Sequence, residues 1–413
     1  MENKSTNKQR IESYLNLIEM LLQCADGQEP EILEANKPLV DTGLIDIMER
    51  VAAEFNRQRD RRGRWLQDVA QKLAVYLNEQ NNSSPSQDYL NLILAIFQNI
   101  NEDAEKEQIY RLFRQNLDKL NIKFVEALQI WAEHILANLR TEEQKFVMGQ
   151  NLGTFGMLIE HFPLGNQADN IKIAIASYQI ALAVFTKSDF PEEWAAVQNN
   201  LGTAYSRTTE GKPVDNIEKA IQFFNNVLTV RTQYSSPREW GGTHNNLGAA
   251  YVFLSRIKSN SAEYIEKAIW HFEQTLKVRN QRKFPLDWAM SQRNLGSAYC
   301  ERIRGNRAEN IEKAIQCCNN ALSVYSQREL SFDWAETQSN LGLAYNLRIK
   351  GSRAENIEKA IQHHHNALSF FNQENFPRKW AMIQNFLGVV YLNRIKGDRI
   401  DDLEKAIHPT KML

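Results

Sequence analysis

The residues best equipped for recognition chemistry are asparagines that recur in register. Asn200, Asn246, Asn294 and Asn340 each stand immediately before a Leu-Gly pair, and Phe386 takes the fifth such place. One step earlier stand Asn199, Asn245, Arg293, Ser339 and Asn385. A primary amide donates and accepts at once, so a row of them could hold the backbone of an extended segment without reading its side chains. The same amides could instead tie neighbouring helices together, because buried polar groups are nearly always hydrogen-bonded. A second series is basic: Arg302, Arg304 and Arg307, then Arg348, Lys350 and Arg353, then Arg394, Lys396 and Arg399. It forms an edge that could meet an acidic partner or phosphates. Glu309, Glu312, Glu355 and Glu358 lie close by in sequence, so ion pairing within each repeat is the expected use.

Cys317, Cys318, His363 and His364 raise the question of a metal. The two pairs are 46 residues apart, so stacked helices could bring them together around zinc. Consecutive helical residues point about 100° apart, which works against four-fold convergence, and no metal is expected. The Cys residues occupy repeat positions filled elsewhere by ordinary residues such as Phe223 and Phe224, which suggests structural use. None of the four Cys forms a CxxC pair, so there is no disulfide framework. Catalytic signatures are missing: there is no GxSxG, HExxH, P-loop or GxGxxG. Glu210-Gly211-Lys212-Pro213 lacks the upstream Gly of a P-loop and reads as a turn. The expectation is a non-enzymatic protein without a cofactor.

The bulk numbers agree with a binding role and limit its partners. Forty-nine basic and 50 acidic residues nearly cancel, which argues against nucleic acid and anionic membranes as partners. The first ten residues are polar and charged, unlike a secretory signal. The weakly charged stretch 89–101 is too short to span a bilayer. A reducing cytoplasm is the expected compartment.

These residues are positioned by a repeat. Trp194, Trp240, Trp288, Trp334 and Trp380 are spaced 46, 48, 46 and 46 apart, and Leu-Gly follows seven residues after each. A Tyr stands three residues after each Gly, from Tyr205 to Tyr391. A second block, Ile-Glu-Lys-Ala-Ile, occupies 217–221, 265–269, 311–315 and 357–361, with variants at 171–175 and 403–407. Trp194, Val197, Leu201 and Ala204 lie on one helical stripe; Ile217, Ala220, Ile221, Phe224 and Leu228 form another. Gly202 leaves a gap on its stripe through which a neighbouring helix can approach. Phe-Pro at 190–191, 284–285 and 376–377 starts the first helices, and Gly211, Gly305, Gly351 and Gly397 mark the turns between paired helices. Asn216, Asn310 and Asn356 are expected as N-caps of the second helices. No segment alternates with period two for long, so the fold class is all-α without sheet.

Four regions follow. Residues 1–80 read as an N-terminal helical domain with stripes Ile11, Leu15, Ile18, Leu22, then Ile45, Met48, Val51, Phe55, then Trp65, Val69, Leu73, Tyr76. Residues 81–86, Asn-Asn-Ser-Ser-Pro-Ser, read as a linker. Residues 87–165 are helical and end in a worn repeat copy, in which Gln150-Asn151-Leu152-Gly153 is matched to the Leu-Gly block. Residues 166–413 are the solenoid, its last repeat cut short, with self-association expected at that ragged end.

Leu-Gly-x-x-Tyr followed by a helix carrying Ala220, Phe224 and Val227 resembles the tetratricopeptide repeat, although about 46 residues exceeds the usual 34 or so. The long units, with Gln-Asn-Asn-Leu-Gly-x-Ala-Tyr and Ile-Glu-Lys-Ala-Ile, resemble those of bacterial, notably cyanobacterial, proteins in which such repeats precede a caspase-like CHAT protease domain. The leader around Tyr14 to Glu19 and Pro30 to Leu33 is similar to that group's as well. The chain reads as the repeat part without the protease. The resemblance implies a superhelical groove that takes a protein or peptide, with the Asn column on its inner surface, as in peptide-glycosylating transferases and kinesin light chains. It also implies a sensing role beside a protease. The alternative is an assembly module whose groove is filled by its own N-terminal helices. Thr203, Ala249, Ser297, Leu343 and Val389 stand where a chaperone-binding carboxylate clamp needs Asn, so that use is not expected.

Overall fold

The computed structural model describes residues 2–24, 27–57, 60–102, 105–394 and 405, with side chains omitted for 2–9 and 75–86. The described residues are all helical or connecting, with no strand among them. The helices are α1 (Glu2–Gln23), α2 (Glu29–Ala35), α3 (Thr42–Arg57), α4 (Arg62–Asn101), α5 (Lys106–Gln115), α6 (Ile122–Asn138), α7 (Glu142–Glu160), α8 (Gln167–Val184), α9 (Pro191–Arg207), α10 (Pro213–Leu228), α11 (Pro237–Ile257), α12 (Ser261–Val278), α13 (Pro285–Glu301), α14 (Arg307–Leu322), α15 (Ser331–Leu347), α16 (Arg353–Leu368) and α17 (Pro377–Leu392). No helix among the described residues is long and apolar enough to cross a membrane. Contacts divide the chain into two units, Met1–Ala95 and Ile96–Leu413. The expected break at 81–86 is helical backbone within α4. The last copy at 403–407, the turn at Gly397 and the basic residues Lys396 and Arg399 fall outside the described residues, Lys405 excepted.

In the first unit the expected stripes are shifted. Tyr14, Leu17, Ile18 and Leu21 are buried with Leu44, Met48, Ala52, Leu66, Ala70 and Leu73, whereas Ile11 and Leu15 are exposed. Apolar residues surround α1, so the three-four spacing fits more than one face. The packing of α1 against α2 and α3 chooses among them.

In the second unit, from α7 to α17, each helix packs on the next. The odd-numbered helices α7 to α17 also touch one another in sequence, while from α8 onward no even-numbered pair makes a comparable contact among the described residues. Equivalent residues occupy equivalent places. The five repeat Trp, Trp194, Trp240, Trp288, Trp334 and Trp380, are each the fourth residue of an odd helix and half-buried. Leu201, Leu247, Leu295, Leu341 and Leu387 are buried, as are Ala220, Ala268, Ala314 and Ala360. Pro at the first helical position leaves Phe190, Phe284 and Phe376 as N-caps, whose carbonyls accept from Trp194, Trp288 and Trp380 at 2.8, 2.8 and 2.9 Å. Gly165, Gly211, Gly305 and Gly351 carry φ of 72 to 80° in the turns between paired helices, a region where a Cβ is disfavoured.

Each residue of the second block has a task. In Ile265-Glu266-Lys267-Ala268-Ile269 the two Ile and the Ala are core. Lys267 lies 5.7 Å from the centre of the Tyr251 ring in its own unit. Lys219 over Tyr205, Lys313 over Tyr299 and Lys359 over Tyr345 repeat that contact, each at 5.3 Å. Glu266 instead receives Arg302 of the following unit in a two-pronged pair at 2.8 Å. Arg348 grips Glu312 and Arg394 grips Glu358 in the same way. The ion pairs this basic series does form, through Arg302, Arg348 and Arg394, therefore run between units, not within them as expected: the Arg at the end of an odd helix reaches back to the preceding even helix.

Two further expectations are corrected. Asn216, Asn310 and Asn356 are not N-caps. They are buried in the first turn and a half, and their amides donate to turn carbonyls: Asn310 to Arg304 and Asn356 to Lys350, each at 2.9 Å, and Asn216 to Glu210. Asn306 and Ser352 do the capping of α14 and α16. The worn copy aligns through Gly156, not Gly153. A Cβ on Gly156 would lie 2.5 Å from Tyr178, just as one on Gly202 would lie 2.5 Å from Phe224, whereas nothing is within 4 Å of Gly153. The helix pair α7–α8 thus obeys the same 46-residue spacing, with Phe155 in the place of Leu201.

Candidate functional site

The Asn column sits on the odd helices. Asn199, Asn200, Asn246 and Asn340 are half-buried and Asn385 is exposed. No side-chain amide of these five makes a hydrogen bond among the described residues; only the backbone carbonyl of Asn199 is engaged, by Thr203 at 3.0 Å. The exception in the column is Asn294, whose amide donates to the buried Asn245 at 3.2 Å and so joins α13 to α11.

The tie between paired helices comes from a different column, two residues before the Asn. Gln198 accepts from Asn226 at 3.0 Å, Gln292 from Asn320 at 3.4 Å and Gln338 from Asn366 at 3.4 Å. His244 takes that place in α11 and meets His271 of α12, Nδ1 to Nδ1, at 2.8 Å. Burial pushes His244 down to about 4 and His271 to about 3, so the pair is neutral and one ring donates to the other. The signal was available in sequence: Gln198, Gln292, Gln338 and Gln384 recur as regularly as the Asn.

Two recesses open between successive odd helices, and Asn199, Asn200, Asn245 and Asn246 line them. One, of about 320 Å³, lies between α7 and α9 and includes Thr154, Ala196 and Asn200. The next, of about 290 Å³, spans α9, α11 and α13 and includes Asn199, Asn245 and Asn246. Arg231, Arg238 and Arg279 line this second recess too. None of the three was singled out from the sequence, although Arg231 and Arg279 stand where the other units carry Phe185, Tyr325 and Phe371. A separate, more apolar recess of about 580 Å³ lies within the first unit, with Leu33, Val40, Trp65, Val69 and Leu73 in its wall.

Arg293 is tied to α15 through Asp333 at 2.6 Å and Glu336 at 3.5 Å, so it is a strut between units. Arg302 and Arg348 are held by Glu266 and Glu312. Arg307 donates to the Cys300 and Arg302 carbonyls at 2.7 and 3.0 Å, and Arg353 donates to the Asn346 carbonyl. Arg304, Lys350 and Arg353 of that series stand exposed without an ion pair among the described residues. Cys317, Cys318, His363 and His364 do not converge: no group of three or more His, Cys, Asp or Glu able to share an ion occurs among the described residues. His363 instead bonds Gln338 at 2.6 Å. His364 packs on Gly342, and Cys318 on Gly296, filling the place of Phe224. Burial pushes the Cys300 and Cys317 thiols up to about 12, so neither is a thiolate nucleophile at neutral pH.

No protein-family model matches the chain, and no curated protein matches it.

Proposed function

We propose that the second unit is a tetratricopeptide-like scaffold that holds an extended protein or peptide segment along its odd helices, without catalysing a reaction. The observation that carries this is the pair of adjacent recesses lined by amides with no partner of their own: Asn200 in one, Asn199 and Asn246 in the next. A half-buried amide without a hydrogen bond loses part of its hydration for nothing, and a passing backbone would repay it with one donor and one acceptor. The structural alternative for these Asn is weakened, because the Gln column ties the paired helices. The spacing of the layers supports the same face. Odd helices touch one another and even helices do not to a comparable degree; where two layers of a stack differ in this way, the closer one is the inside of the curve. The motif register and the resemblance to repeats that accompany caspase-like proteases make a regulatory segment of such a system the first partner to try.

The test is a triple substitution, Asn200→Ala, Asn246→Ala and Asn340→Ala, in the full chain. Asn294 is left alone because it bonds Asn245. Binding to an immobilised array of unstructured peptides should weaken by about tenfold or more, two or three lost amide bonds being enough for that, with helicity unchanged by circular dichroism. Unchanged binding at unchanged helicity would reject the groove.

A further inference from the structure

The recess spanning α9, α11 and α13 differs from its neighbours in charge. Its wall holds Arg231, Arg238 and Arg279 against Glu239 and Asp287. Arg279 is 6% exposed, an extreme burial for a guanidinium. It is poorly compensated. Nη2 donates to the Arg238 carbonyl at 3.1 Å, the nearest carboxylate, Asp287, is 3.9 Å away, and Nε and Nη1 are buried with no hydrogen-bond partner. Asp287 is shared, standing 3.3 Å from Arg238. Arg231 keeps part of its fork on Glu192, through Nε at 3.1 Å and Nη2 at 3.3 Å.

The local sequence is fitted to this arginine. Where α11 has Gly241-Gly242, α9, α13, α15 and α17 carry Ala195-Ala196, Ala289-Met290, Ala335-Glu336 and Ala381-Met382, and α7 carries Gly149-Gln150 with its glycine against Phe185, so only the second glycine is peculiar to α11. A Cβ on Gly242 would lie 2.8 Å from Arg279 Nη2; one on Gly241 would lie 2.8 Å from Val278 and 3.2 Å from Arg279 Nε. Two glycines in a helix cost about 1 kcal/mol each relative to alanine. Yet the aromatic residues at the equivalent places in other units, Phe185, Tyr325 and Phe371, are buried there as ordinary core. The chain therefore keeps a costly cation where a ring would pack, beside three amides of the Asn column.

We propose that this recess binds one anionic group, a carboxylate or a phosphate, with Arg279 as the central donor and Arg231, Arg238 and Asn246 around it. A planar guanidinium matches two oxygens of either group, and the charge-assisted bonds would satisfy donors that the fold leaves empty-handed. The anion site deepens the groove reading above by giving the bound segment a chemistry: an acidic or phosphorylated residue placed opposite α11.

The experiment uses the full chain and two probes, inorganic phosphate and acetate, each compared with sodium chloride at equal ionic strength, with the thermal midpoint and tryptophan fluorescence as readouts. Phosphate, acetate or both should raise the midpoint of the wild type beyond chloride, and which of them does so separates the two anion classes. Arg279→Met should weaken that binding about tenfold or more. Arg279→Tyr, the residue type at 325, is the second variant should Met fail to fold, and it should lose the effect likewise. No increment over chloride in the wild type, or an increment that survives in a folded Arg279 variant, overturns the proposal. The outcome is separable from that of the groove. If the Asn triple variant keeps peptide binding while an anion acts on the wild type and not on the folded Arg279 variant, the groove reading falls and the anion site stands. If the triple variant loses peptide and neither anion acts, the groove stands without the anion site.

Discussion

His364 shows how one position reports on the whole repeat. From α7 to α15 the Gly of each odd helix receives a side chain from its partner helix: Tyr178, Phe224, Phe272, Cys318 and His364 in turn. His364 is fully buried with neither ring nitrogen hydrogen-bonded. Burial, with His363 and His365 beside it, pushes it down to about 3. Replacing it with the Phe found at 224 and 272 should stabilise the protein by about 1–3 kcal/mol, the cost of an unsatisfied buried polar group. The same histidine sets a pH dependence. Its folded value lies below the ordinary 6.5 of the unfolded chain, so the unfolded state binds the proton first and stability falls as pH drops from about 6.5 towards 3. His244, His271 and His363 act in the same direction, at about 4, 3 and 4. Urea midpoints measured between pH 7 and 5 should therefore decline, and His364→Phe should make the decline shallower. An equal slope in both proteins would refute the assignment to His364.

At the scale of elements, the helix pair is set by a glycine facing a ring. Gly248→Ala would place a Cβ 2.5 Å from Phe272 and should cost about 1–3 kcal/mol or more by forcing the pair apart. Gly153→Ala, on a helix face with nothing within 4 Å, should instead stabilise by about 0.5–1 kcal/mol through helix propensity alone. Opposite signs in chemical denaturation are the expected result. The contrast also shows where sequence reasoning failed. Leu152-Gly153 looks like the repeated Leu-Gly, but the pair that packs like one is Phe155-Gly156. A text match cannot see which glycine faces Tyr178; only the partner helix decides that. The polar run at 81–86 failed in a related way. Its composition signals a turn, yet the backbone remains helical through it.

Across the second unit the repeated contacts form two systems. Lys over Tyr closes each unit on itself, and Arg on Glu joins each unit to the next. In a stack whose stability is a sum of unit and interface contributions, these Arg–Glu pairs belong to the interfaces. Each is half-buried and two-pronged, so more than the smallest surface-pair contribution, about 0.5–1 kcal/mol, is expected from each. Glu266→Gln, Glu312→Gln and Glu358→Gln together should therefore broaden the urea transition as well as lower its midpoint, because interface coupling is what makes the units unfold together. A midpoint shift at unchanged steepness would place the pairs outside that coupling.

Periodic side chains were enough to read the all-helical class, the helix pairs, the turns at Gly211, Gly305 and Gly351, and the close approach at Gly202, since each depends on residues within a single unit of about 46. The pairing of Arg302 with Glu266, the use of Gln rather than Asn to join helices, the face buried on α1 and the placing of Arg279 beside Gly241-Gly242 had to wait for coordinates. The physical reason is the same in every case. Local pattern states what a residue is able to touch, while the neighbour it meets is chosen by how one element packs on another distant in the chain.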